Sequence, residues 1–126
     1  MKENSILLEF TTPPSLNQLF STTKSWKRIK SEKYKGWLST AFVEYKKQTQ
    51  YTLTWNSWLW IEVNYFMPIL NKDWTHKKKD IDNYAKALFD FLWDNLKGFE
   101  DSNIKVLKAE KHESNQDIVK ILIYEL

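Results

Sequence analysis

Apolar residues crowd SILLEF (5–10) and stop at TTPPSLN, where Pro13 and Pro14 cannot donate to a strand ladder. The pattern predicts a strand over 5–10 and an extended turn after it. Residues 21–33 are polar and basic without a period, so they read as a loop. From Ser31 to Gln48 the period turns helical, with Tyr34, Trp37, Leu38, Ala41, Phe42 and Tyr45 at three- and four-residue steps and Ser31 as the cap. WLWIEVNYFMP is β-branched and aromatic and predicts a strand over 58–66, ended near Pro68. A second basic loop covers 69–79. A helix over 81–97 follows from Ile81, Ala85, Leu88, Phe91, Leu92 and Leu96, with Gly98 where a left-handed C-terminal cap belongs. Two strands, 104–111 and 117–125, are joined by the polar turn HESNQD. The order β-α-β-α-β-β predicts an α+β domain: a mixed β-sheet with two main helices packed on it.

Length and composition set the frame. A chain of 126 residues supports one core, so 1–126 reads as a single domain. Seven Trp in an aromatic content of 16% provide bulky material for that core and leave rings for an interface. No cysteine is present, which excludes disulfides, thiolate metal sites and cysteine nucleophiles and is compatible with a reducing cytosol. The first apolar run is too short for a signal peptide and is broken by Glu9, and no stretch is long enough to span a bilayer, so no membrane role is expected.

The net charge of +3 is mild, but its distribution is uneven. Lys24, Lys27, Arg28, Lys30, Lys33 and Lys35 form one cluster, and Lys77, Lys78 and Lys79 another. Such patches suit a polyanion, and a solvated lysine-rich loop accounts for them equally well.

The segment KKKDIDNYAKALFD, residues 77–90, sets three lysines against two aspartates. Asp80 is the natural cap of the second helix, and Asp82 in its first turn is favoured by the helix dipole. Asp82, Lys86, Asp90 and Asp94 follow at four-residue steps, which alone makes a surface ladder of opposite charges. That account leaves unexplained the lysine excess beside the pair and the further acidic pair Glu100-Asp101. Mg²⁺ commonly takes one or two carboxylates together with phosphate and water. Two aspartates at a helix start, plus a third carboxylate from elsewhere, supply such a site, and the lysines supply phosphate contacts. Sites of this type support in-line attack of water on phosphodiesters. His76 and His112 have no zinc spacing, and no glycine-rich phosphate loop or nucleophile elbow is present.

The stretch KKKDIDNYAKALFDFLWDNLKGFEDSNI resembles the RusA-type Holliday junction endonucleases. The shared pattern is a basic run, Asp-x-Asp-Asn, a lysine four residues after the second Asp, a Phe-Asp pair, a turn and a final acidic pair. PPSLN with Phe20 after it, and Pro68 after the strand, also fit, so the resemblance covers roughly 7–124. It implies a RusA-like fold and a homodimeric, Mg²⁺-dependent endonuclease, with Mn²⁺ as a substitute, that cuts four-way DNA junctions by paired nicks. It further implies a cytoplasmic enzyme of bacterial, phage or prophage origin. The family's important aspartates correspond to Asp80, Asp82 and Asp101 and its lysine to Lys86. Glu100 stands where Asp is usual, and lysine replaces arginine in the basic run, exchanging bidentate forks for point charges.

The resulting expectation is a metal site of Asp80, Asp82 and Asp101, with Lys86 on the phosphate. Lys24, Lys27, Arg28, Lys30, Lys77, Lys78 and Lys79 would track the backbone. An unbroken helix from Asp82 to Lys97 is about 22 Å long and leaves Asp101 at the wrong end of one chain. Either the chain doubles back or two antiparallel helices meet across a two-fold axis. Trp74 reads as packing beneath its loop, with stacking on unpaired bases as the functional alternative. The competing functions are a non-catalytic junction-binding protein, a nuclease for other branched DNA or RNA, and a purely structural interaction module.

Overall fold

A computed structural model describes residues 5–48, 51–54, 56–77 and 81–126. Strand β1 (Ser5–Thr11) leads through a short 3₁₀ turn at Leu16–Gln18 into a small hairpin, β2 (Phe20–Thr22) and β3 (Arg28–Lys30). Helix α1 (Glu32–Lys47), strand β4 (Leu59–Met67), a 3₁₀ turn (Ile81–Tyr84) continuing as α2 (Ala85–Asn95), and strands β5 (Ile104–Glu113) and β6 (Ile118–Glu125) complete the chain. The main sheet runs β1-β6-β4-β5, with β4 and β5 parallel and the other pairs antiparallel. The architecture is therefore α+β with a mixed sheet and two main helices, as the pattern predicts.

Two local expectations are corrected. Residues 21–33 are not all loop, because Phe20↔Lys30 and Thr22↔Arg28 pair as a two-stranded ribbon. The helix expected from Ile81 starts as a 3₁₀ turn and becomes α-helical only at Ala85. Asp80, expected to cap it, lies outside the described residues.

One face of the sheet carries both helices. Leu8, Phe10, Ile61, Val63, Tyr65, Val119, Ile121 and Ile123 alternate inward and are buried against Trp37, Ala41, Tyr45, Leu88, Phe91 and Leu92. Phe91 sits at the centre, edge-on to Phe10, Trp37 and Tyr45. Ser31 caps α1 by accepting from the Tyr34 N–H at 3.1 Å.

The two edges of the sheet are treated differently. On β1, the Glu9 N–H donates to Gln48 Oε1 and its carbonyl accepts from Gln48 Nε2. The Thr11 N–H donates to Glu44, and its carbonyl accepts from the Trp37 indole at 2.7 Å. Side chains of α1 thus occupy the outward backbone groups of that edge strand, a protection against further pairing. At the other edge, β5 has β4 on one side and no strand on the other among the described residues. No helix among the described residues is long and apolar enough to cross a membrane.

Candidate functional site

Because β1 and β4 run in the same direction, they leave the sheet at the same end. That end also receives the last residues of β5 and the first of β6, as the pairs Thr11↔Ile118, Phe66↔Ile118 and Met67↔Glu113 require. Both lysine-bearing segments are rooted there. The β2–β3 hairpin follows β1, and Ser31 at its close bonds back to Leu19 and Gln18. Phe20 packs edge-on to Tyr34, and the Arg28 guanidinium lies 3.9 Å from the Phe20 ring centre. Burial, then Asp90 and Asp94, raises the Tyr34 phenol above its usual range, so this hairpin stands close to the acidic face of α2.

The second basic segment leaves β4 and is also a hairpin, tighter than a loop. The Lys77 N–H donates to the Ile69 carbonyl at 2.8 Å, Leu70 bridges His76, and the Asn71 N–H donates to Thr75 at 2.8 Å. Glu113, ending β5, accepts from the Ile69 and Leu70 N–H groups at 2.6 and 3.2 Å. Trp74 is exposed at the hairpin's tip, and this corrects the expectation that it packs beneath the loop.

Asp82 lies in the 3₁₀ turn beside an open groove of about 590 Å³ between α2 and the sheet, lined by Tyr65, Ala85, Phe89, Leu107, Ala109 and Lys111 among others. The Asp82 carboxylate is exposed and has no hydrogen-bond or ion-pair partner among the described residues. Tyr65 lines the same groove; its hydroxyl is buried and without a partner among the described residues, and burial followed by Tyr84 pushes its phenol far above the usual range. Sequence reasoning passes over Tyr65, since an inward strand tyrosine reads as core. Only its polar tip beside a helix start signals more.

Lys86 pairs with Asp90 rather than Asp82, at 3.1 Å, and both side chains are substantially exposed. An exposed pair of this kind contributes about 0.3–0.5 kcal/mol, so the ammonium is easily drawn to a stronger anion.

Asp101 stands elsewhere. It opens the 3₁₀ turn (Asp101–Asn103) that precedes β5. The C-terminal end of α2 is at the far end of the sheet: the Leu53 N–H donates to the Lys97 carbonyl, and Thr54 meets Glu125 there. Asp82 shares its groove with Ala109 and Lys111, while Asp101 precedes Ile104, a displacement of about 17 Å along the strand. Accordingly, no group of three potential metal ligands forms among the described residues. Lys78, Lys79 and Asp80 are not among them. Lys24, Lys27, Arg28, Lys30 and Lys77 all fall on the two hairpins.

Each carboxylate is chemically suited to a hard divalent cation, but the described residues of one chain do not bring the two to a common point. Asp82 and Asp101 are exposed carboxylates with no partner among the described residues, which leaves their oxygens free for a cation and water. An acidic helix start between two cationic hairpins, on one end of an α+β sheet, is the equipment of a protein that acts on a nucleic-acid backbone. The family described as Endodeoxyribonuclease RusA matches residues 10–124, and the chain belongs to that family. A comparison with curated proteins finds no match.

Proposed function

We propose that the protein is a structure-selective endodeoxyribonuclease that resolves four-way DNA junctions by Mg²⁺-dependent paired hydrolysis of phosphodiesters. The observation carrying this reading is the Asp82 carboxylate, exposed and without a partner among the described residues, at the sheet end from which both cationic hairpins spring. Asp80 and Asp82 hold the cation together with Asp101, Mn²⁺ being an acceptable substitute. When bound, the ion supplies Lewis acidity at the scissile phosphate and activates water. Lys86 leaves Asp90 for the phosphate and neutralises charge as it develops. Lys24, Lys27, Arg28, Lys30 and Lys77–Lys79 grip the backbone, giving affinity with little sequence information.

The enzyme works as a homodimer. A four-way junction has approximate two-fold symmetry, and two related sites nick opposing strands in one encounter. The open edge of β5 and its groove meet a second copy. In an antiparallel β5–β5 pairing centred near Leu107 and Lys108, the Ala109–Lys111 end of one strand faces the Ile104 end of the other. Asp82 then approaches Asp101 of the partner subunit, and each metal site draws on both chains. The test of the activity is incubation of a synthetic four-way junction with and without Mg²⁺, alongside Asp82→Asn. Symmetric nicks are expected only with metal and wild-type protein. Metal-independent binding without cutting would leave a junction-binding protein instead.

A further inference from the structure

Among the described residues, three that are not glycine have positive φ: Asn56, Trp26 (63°) and Trp74 (67°). Asparagine is at home there, whereas tryptophan is not. The two tryptophans occupy equivalent places. In the first hairpin the Trp26 N–H donates to the Thr23 carbonyl at 2.9 Å and the Thr23 N–H to the Lys27 carbonyl at 2.9 Å. In the second the Trp74 N–H donates to the Asn71 carbonyl at 3.0 Å and the Asn71 N–H to the Thr75 carbonyl at 2.8 Å. Each turn is thus closed by the same pair of bonds, and each puts its left-handed residue at the position normally given to glycine.

Each turn is also braced by a side chain. The Lys27 N–H donates to Thr23 Oγ1 at 3.0 Å, and the Thr75 N–H and hydroxyl donate to Asp73 Oδ1 at 3.1 and 2.5 Å. The rings themselves bury little: Trp26 is 87% exposed and Trp74 77%. Trp58 and Phe42, also exposed, have lysine ammonium groups over their faces at 5.9 and 5.2 Å. Neither Trp26 nor Trp74 has an aromatic or cation–π partner among the described residues. In sequence, Lys24 and Lys27 lie within two residues of Trp26, and Lys72 and Lys77 within three of Trp74.

We infer that Trp26 and Trp74 form a pair of stacking tips that take unpaired nucleobases, the bases freed where DNA strands exchange partners. The inference rests on the proposed action on branched DNA and adds to it a source of selectivity. Lysines attract any nucleic-acid backbone, but an open aromatic face binds only bases that have left the duplex stack. Two such faces, each on a braced turn rooted at the same end of the sheet, favour a branch point over linear duplex.

The test is binding in Ca²⁺ of a four-way junction, a single strand and a fully paired duplex by wild type, Trp26→Gly, Trp74→Gly and the double variant. Glycine suits the left-handed position, so the turns are retained. Circular dichroism and the melting temperature check this, and Asn serves as the alternative replacement. Each substitution is expected to weaken junction and single-strand binding about tenfold, the size of one base–aromatic stack, with duplex binding changed less than twofold. Trp→Tyr at either tip restores most of the loss. Equal weakening on all three DNAs, or none on the junction, overturns the inference. Wild-type protein that neither binds nor cuts a junction overturns the nuclease reading itself, whereas metal-dependent cutting with unaltered selectivity in the double variant sinks only the tips.

Discussion

Gly98 shows how a single residue holds two distant segments. Its φ of +89° ends the turn after α2, and a Cβ added there would press into the Leu53 carbonyl. Leu53 in turn donates its N–H to Lys97 at 2.8 Å, so this close approach ties the chain before β4 to the end of α2. Gly98→Ala combines left-handed strain with a backbone clash and is expected to destabilise by about 2–3 kcal/mol, read as a lowered urea midpoint. Lys86 presents the opposite case. Its bond to Asp90 is exposed, and Lys86→Met should change stability by less than about 0.5 kcal/mol. If the ammonium acts on the phosphate, the same variant loses cleavage about 100-fold while junction affinity barely moves. Cleavage rates within about twofold of wild type, measured at saturating junction, would return Lys86 to a purely structural role.

At the scale of elements, regular periods were readable and the site's turns were not. β1, α1, β4, β5 and β6 follow from alternation or a helical repeat, and Ser31 caps α1 as expected. Gly98 has the left-handed φ expected of it, but in the turn after α2 rather than as its cap, because the helix already ends at Asn95 with an extended Leu96. The β2–β3 ribbon escaped because a hairpin is normally announced by glycine or asparagine at its left-handed position, and here that position is Trp26. The segment 69–77 escaped for the same reason at Trp74. The 3₁₀ start of the second helix has the same apolar spacing as an α-helical turn, so Ile81 and Ala85 fit either. What does stabilise the second hairpin is local polar bonding, and it titrates. Thr75, through its hydroxyl and then its backbone N–H, holds the Asp73 carboxyl below the ordinary Asp range. A depressed folded-state pKa means the contribution is present above the unfolded value, near 3.9, and is lost as pH falls through the folded value. Carboxyl NMR of Asp73 should therefore show a midpoint below about 3.9, with Thr75 amide protection falling over the same interval. A midpoint at or above the ordinary value would mean the brace does not form in solution.

The whole molecule poses the question that one chain leaves open. The carboxylates read as one metal set are separated by the length of α2, about 20 Å from Asp82 to Asn95. The sequence revealed both acidic groups, but their separation in space depends on where the chain turns, which Gly98 and the Leu53 contact decide. Side chains of α1 close the β1 edge, whereas among the described residues no strand covers the outer side of β5, and a groove bearing Leu107 lies beside Asp82. In the proposed homodimer, a two-fold axis at β5 would bring unlike ends together and complete the set twice. Mixing subunits separates this arrangement from a site within one chain. Combine Asp82→Asn with Asp101→Asn protein, each inactive alone, and isolate the heterodimer by two affinity tags. If sites are shared, one site receives both lesions and the other receives none, so the heterodimer nicks a single strand of the junction. If each site lies within one chain, both sites carry a lesion and no nick forms. Junctions labelled on all four strands distinguish single nicks from paired ones, and an intact junction after incubation with Mg²⁺ would remove the shared site.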